Sequence, residues 1–382
     1  RYSFEYDLND VFSRLVYGRV LFPDSKRATL KTASELFEKP SFQYHDMMRA
    51  LSVLSQQSEF IQEKLYEGSQ KLISRKTGVL YYDCTNFFFE IEEEKGMRKY
   101  GHSKENRPNP IVQMGLFIDR SGIPLAFHIT DGNTNEQTTL LPLEKRIMRD
   151  YELSRFVICT DAGLSSDQIR KFNNFGERAF ITVQSIKMMK VEMQKWCLDT
   201  TGWRLPGDDT VFDVSKLDDT QEKKDLYYDK VFYKETLIEG YDEERDIRFD
   251  QSLYVTFSLK YRDYLRSVRN GRVERAKRML EQGGNRIERK GQNDVRQYIS
   301  RTSQTKDGKV ATKDIYKIDE DAIRKEEKYD GFYAVCTNLE ADINEIIRVN
   351  KGRWEIEESF RIMKTEFDAR PVYLQRDDRI RA

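Results

Sequence analysis

The sequence predicts an α/β fold in which a mixed sheet with flanking helices is interrupted by a large α+β insertion and preceded by a helical N-terminal region. Three observations predict it. Apolar residues recur at spacings of three and four up to about residue 75, and the pattern then switches to strand-like runs, three in succession and others alternating with helices. From about residue 185 this regularity gives way to a charged stretch, and an apolar strand pattern returns only near residue 329. At 382 residues the chain is also too long for one small core. The expected division is a helical region over 1–77, the first part of the core over 78–184, an insertion over 185–328 and the second part of the core over 329–382.

Taken in order, "DVFSRLVYGRVLF" and "YHDMMRALSVLSQQSEFIQEKLYEGSQKLI" supply the helical preface. Strands follow at 79–89, in "IVQMGLFI" and in "IPLAFHIT", the last two joined through "DRSG", whose Ser-Gly signals a tight turn. Helical "EQTTLLPLEKRIMRDY", the short apolar run ending in "VICTDAGLSS", a further helix and the strand "RAFITVQ" complete the first part. Inside the insertion, "KVFYKETLI" and "SLYVTFS" read as strands and Tyr261 to Gln282 as a long helix. The strand "YDGFYAVCTN" and one helix from about Asp342 to Phe367 then close the core.

Composition excludes several classes. The 65 basic residues balance 65 acidic ones, so any nucleic-acid surface must be local. No run approaches a membrane span and no signal peptide is visible, so a soluble intracellular protein is expected. The four cysteines, Cys84, Cys159, Cys197 and Cys336, form no CxxC pair and read as small buried hydrophobes. Arg1 at the start, and a last stretch "QRDDRIRA" without a helix-ending signal, point to ends cut from a longer chain.

The chemistry lies in three carboxylates. Eight of the twelve residues from Val79 to Glu90 are apolar or aromatic, the pattern of a strand buried on both faces, yet Asp83 stands in its middle. A buried ionised group without a partner costs several kcal/mol, so a cation must answer it. Asp161 ends the apolar run "FVICT" and is followed by Ala162 and Gly163. The carboxyl end of a core strand is where open sheets place ligands, although capping of the following turn is an equally good reading. On a continuous final helix, Arg353, Glu357 and Lys364 fall within about 40° of one another, beside a core-facing stripe of Ile356, Phe360, Met363 and Phe367. Brought together, Asp83, Asp161 and Glu357 make an all-oxygen site suited to Mg²⁺ or Mn²⁺. Two such ions roughly 4 Å apart would orient a phosphodiester for in-line displacement.

With these residues in view, the chain resembles the DDE transposases of bacterial insertion sequences, in the group with a ribonuclease H-like core and a long insertion before the Glu. The resemblance rests on "YYDCTNFFFE", "GHSKENRPNPIVQMGLFIDRSGIPLAFHITDGNTNEQT", "VICTDAGLSS" and "NKGRWEIEESFRIMKTEF". It implies that the catalytic and metal-holding acids are Asp83, Asp161 and Glu357, separated by 78 and 196 positions, and that DNA is cut at element ends and joined to a target. The group's helix signature, Tyr-x2-Arg-x3-Glu-x6-Lys, is met by Arg353, Glu357 and Lys364, with Asn350 where Tyr is expected. Arg353, Lys364 and Asn350 are the implied phosphate contacts. The resemblance also implies double-stranded DNA as partner, a dimer on DNA, and action at the nucleoid of a bacterial cytoplasm. Two other readings stay open: a transposase relative that binds DNA without cutting it, and a stand-alone nuclease with the same core.

Further features carry less. The loop "KYGHSKENRPNP" offers Lys104 and Arg107 as phosphate contacts soon after the Asp83 strand. Between Leu265 and Lys309, thirteen Lys/Arg stand against five Asp/Glu, a candidate DNA surface or a solvated helix and loop. "TDGNTNE" starts like a calcium loop but has Glu136 where Gly is required, so it reads as a turn. Trp203 is expected to be buried rather than to stack on a displaced base.

Overall fold

Residues 8–72 fold as four helices, α1 (Leu8–Leu21), α2 (Lys26–Ala33), α3 (Tyr44–Gln56) and α4 (Ser58–Leu72). The first two begin where a side chain satisfies otherwise orphaned amides: Asp7 accepts from the amides of Asn9 and Asp10, and Ser25 from that of Ala28. Val11, Phe42, Met47 and Ala50 form their shared core. The computed structural model describes residues 3–243, 246–282, 294–304 and 313–382.

The meander follows as β1 (Val79–Phe88), β2 (Ile111–Asp119) and β3 (Pro124–Asp131), then α5 (Leu140–Asp150), β4 (Phe156–Thr160), α6 (Asp167–Phe172) and β5 (Arg178–Gln184). Strand order is β3-β2-β1-β4-β5. The first three strands are antiparallel, whereas β4 runs parallel to β1 and β5 parallel to β4. This is the mixed sheet that the switch in sequence pattern predicts, in the ribonuclease H-like form that the resemblance implies. The β2–β3 turn is drawn tight by Gly122 at φ +77° and by Asp119, whose carboxylate accepts from the amides of Ser121 and Ile123.

The chain forms two compact units, one comprising Arg1–Val183, Tyr241–Phe249 and Thr337–Ala382, the other Gln184–Gly240 and Asp250–Cys336. The second unit is richer in elements than the sequence suggests. It draws on α7 (Val191–Leu198), β6 (Trp203–Leu205), β7 (Asp208–Phe212), α8 (Gln221–Tyr227), β8 (Phe232–Asp242), β9 (Ile247–Phe257), α9 (Leu259–Glu281), β10 (Ile299–Gln304), β11 (Lys313–Ile318), α10 (Glu320–Glu327) and β12 (Phe332–Thr337). Strand order there is β12-β9-β8-β6-β7, with β10 and β11 as a separate pair. Trp203 is fully buried against the rings of Phe257 and Phe332 and donates its indole N–H to the Asp199 carbonyl at 2.8 Å. It is a core residue, as expected. Parts of the basic stretch 265–309, namely 283–293 and 305–312, lie outside the described residues.

The last elements of the first unit are α11 (Ile343–Lys351), α12 (Trp354–Arg361), a π-helical turn over Ile362–Glu366 and α13 (Asp377–Ile380). The single helix expected from Asp342 to Phe367 is therefore wrong. It breaks at Gly352, and the reason is Tyr81: its hydroxyl donates to the Val349 carbonyl at 2.9 Å, and a Cβ on residue 352 would lie 2.1 Å from that hydroxyl oxygen. The strand thus takes one acceptor from the helix and requires glycine beside it.

Candidate active site

Pairing places the two aspartates side by side. In the β1–β4 ladder Val79 faces Val157, Leu80 faces Ile158 and Tyr81 faces Cys159, an offset of 78 residues. Asp83 and Asp161 differ by the same 78 and stand two residues past the end of this ladder, and the Asp161 carboxylate is near enough to Asp83 to push its pKa up. The spacing between the acids is the register of the sheet. Asp161 also accepts from the Leu164 amide at 3.0 Å, so its capping role is real and leaves its second oxygen available.

Asp83 is held in an electrostatically loaded position. Burial pushes its carboxyl up to about 6, against the pull of the Lys104 ammonium, while the Asp161 and Glu136 carboxylates add to the push. The Lys104 ammonium stands 3.6 Å from Asp83 and 3.6 Å from Glu136, and also donates to the Cys84 carbonyl. Burial alone would lower the Lys104 pKa, but the surrounding acids outweigh it and the net direction is up. Lys104, expected from sequence as a phosphate contact, lies among these acids. Glu136, whose loop fails as a calcium site in sequence, joins these groups only in the folded chain. Its place is set by the turn after β3, where the Gln137 side chain donates to the Gly163 carbonyl at 3.0 Å and ties this turn to the Asp161 turn.

Glu357 is carried by α12, which packs on β1. Successive odd residues of β1 share one face. On that face Tyr81 meets Gly352, and the Phe87 ring lies 5.9 Å from the Lys364 ammonium. The twelve residues from Gly352 to Lys364 cover about 18 Å of helix, and the six from Tyr81 to Phe87 about 20 Å of strand, so the two run alongside each other. Glu357 then comes level with Asp83 and its neighbour Cys84. Its side chain is exposed. Among the described residues no three His, Cys, Asp or Glu side chains are grouped closely enough to hold a metal ion. The Asp161 and Glu136 carboxylates lie near enough to Asp83 to raise its pKa, and Glu357 is carried by the helix that packs on the same strand.

The expected phosphate contacts have defined surroundings. Arg353 precedes α12, and its guanidinium is close enough to Cys159 to oppose the burial that pushes this thiol up to about 12. Asn350 buries a side-chain oxygen without a hydrogen-bond partner. Lys364 and Arg107 both reach Glu105, at 3.3 and 3.6 Å. The expected shared face on one continuous helix does not hold as drawn, because Arg353 is the cap of α12, Glu357 lies in its first turn and Lys364 in the π turn that follows.

Comparisons with known proteins bear on this arrangement. Among solved structures, a piggyBac transposase synaptic complex with hairpin DNA matches 95% of this chain and 60% of its own, at 9% identity and a TM-score of 0.39. A Mos1 mariner paired-end complex with Mn matches 46% and 58%, at 12% identity and a TM-score of 0.19. The chain thus spans less than two thirds of the length of either. No curated protein matches it in sequence. No helix among the described residues is long and apolar enough to cross a membrane. The model of the transposase DDE domain matches residues 86–382, beginning just past Asp83 and taking in Asp161, Glu357 and the whole second unit. With most of its length matched, the chain belongs to the DDE-domain transposase family.

Proposed function

We propose that this protein cuts DNA at the ends of a mobile element and joins the freed ends to target DNA, using Asp83, Asp161 and Glu357 as its catalytic acids. The observation that carries the reading is the β1–β4 register, which makes neighbours of two acids 78 residues apart. Members of this family generally use a divalent metal, and the donor set here fits one: carboxylate oxygens are the ligands hard cations prefer. Lys104 already places a positive charge between Asp83 and Glu136. Asp83 and Asp161 would hold Mg²⁺ or Mn²⁺, with Glu357 completing the set from α12, for two ions in all. Bound there, the metal would activate the attacking oxygen and stabilise the leaving one.

The protein's own groups set the substrate in place. Lys364 lies along the same helical run as Glu357, and Arg353 one turn before it, so both can hold DNA phosphates on either side of the acids. Asn350 offers a further hydrogen bond, and Arg107 a cation from the loop after β1. Double-stranded DNA is the partner, two subunits pairing two ends is the expected assembly, and the cytoplasm is where such DNA is met.

The test is an assay with a plasmid carrying the element's own ends, in Mn²⁺ and in Mg²⁺. Wild type should nick and join DNA, whereas Asp83→Asn, Asp161→Asn and Glu357→Gln should each lose cleavage by at least about a hundredfold while still binding DNA. Binding without metal-dependent nicking by the wild type would instead identify a DNA-binding derivative. Nicking without joining would identify a nuclease.

A further inference from the structure

The loop after β1 sets one residue of each charge among groups of the opposite sign. Lys104 sits among acids, and its neighbour Glu105 sits among bases. One Glu105 oxygen accepts from the Lys364 ammonium at 3.3 Å and from the Arg370 guanidinium, while the other lies 3.6 Å from Arg107. Three cations thus meet one carboxylate, leaving an excess of positive charge. The arrangement is built rather than incidental. The Arg107 guanidinium rests 4.1 Å above the Phe88 ring, Lys364 lies over Phe87, and the Val372 amide bonds the Phe88 carbonyl at 3.0 Å, fixing the Arg370 segment to the end of β1. Ser103 accepts from the amides of Glu105 and Arg107 and sets the loop. Most of Lys364 is buried, and burial, with Arg370 and Lys104 nearby, lowers its pKa despite Glu105.

We propose that Arg370, Lys364 and Arg107 form a phosphate clamp at the end of β1, and that Glu105 holds the place of the phosphate until DNA arrives. The inference rests on the DNA-processing function proposed above and adds Arg370 and Glu105 to its binding residues. A guanidinium fork with an ammonium beside it matches a tetrahedral anion with several acceptor oxygens. Phe87 is four residues beyond Asp83, about 13 Å along the strand. The clamp therefore grips a phosphate further along the strand than the one being cut.

The experiment measures binding of a short duplex of arbitrary sequence, and of inorganic phosphate as competitor, between about 50 and 200 mM salt. Arg370→Gln and Lys364→Gln should each flatten the slope of log affinity against log salt by about one, and Arg370→Lys should restore it. Glu105→Gln should tighten binding several-fold, because no carboxylate then competes with the phosphate. An unchanged slope in Arg370→Gln, or weaker binding in Glu105→Gln, overturns the clamp while salt-dependent wild-type binding leaves the proposed function standing. Absence of any salt-dependent binding by wild type defeats that function and the clamp with it. Displacement by millimolar inorganic phosphate as effective as displacement by duplex would assign the site to free phosphate, against the proposal.

Discussion

Asp119 shows how much one buried charge can hold. It is fully buried, ion-paired with Arg75 at 2.6 Å, and accepts two amides of the β2–β3 turn, while the Arg75 fork also bonds the carbonyls of Ile123 and Pro124. Asp119→Ala would strand the guanidinium and open the turn, at a cost of roughly 3–5 kcal/mol in urea unfolding. Glu144 is the opposite case. It is buried on α5 with one oxygen accepting from Asn173 at 3.3 Å and the other unpartnered, and burial pushes its pKa up to about 8. A carboxyl raised in the folded state favours folding where it is protonated. Stability should therefore fall as pH rises from the unfolded value, about 4.3, through about 8. Glu144→Gln should remove that slope and stabilise the protein at neutral pH by roughly 1–3 kcal/mol, read from thermal unfolding at several pH values.

At the scale of elements, the strands were the more legible half. β1, β2 and β5 carry enough apolar residues in a row to declare themselves, and the Ser-Gly turn marks where β2 ends. The helix after β12 was legible in composition but not in continuity, because its break is imposed by a tyrosine from a strand some 270 residues earlier. The short polar strands β6 and β7 were invisible for the same kind of reason: strand pairing and the buried Trp203, not local propensity, define them. The break can be tested as a pair. Gly352→Ala forces a Cβ onto the Tyr81 hydroxyl and should cost about 1–3 kcal/mol. Tyr81→Phe removes that oxygen and its bond to Val349. In the double variant the Gly352→Ala penalty should shrink, giving a coupling of at least about 0.5 kcal/mol in a urea double-mutant cycle. Strict additivity would mean that the break has another cause.

Across the whole molecule, all three proposed catalytic acids fall in the first unit although 196 residues separate the last two, most of the interval being the second unit. The sequence pattern could show where regularity stopped and resumed. It could not show Glu136, Glu105 or Arg370, because each acquires its meaning only when distant segments meet at β1. The division also makes a prediction about stability. A divalent cation held by Asp83 and Asp161 ties β1 to β4, so Mn²⁺ at about a hundred times its dissociation constant should stabilise that pairing by about 2.7 kcal/mol. Hydrogen exchange should show the gain in the amides of residues 79–88 and 156–160, and Asp83→Asn should abolish it. Trp203→Ala, which empties the aromatic core of the second unit, should cost about 3–5 kcal/mol and loosen residues 232–240 and 250–257. The Mn²⁺-induced protection of β1 should persist in that variant, since all three proposed acids lie in the first unit. Loss of protection there would show that the second unit is needed to assemble the site.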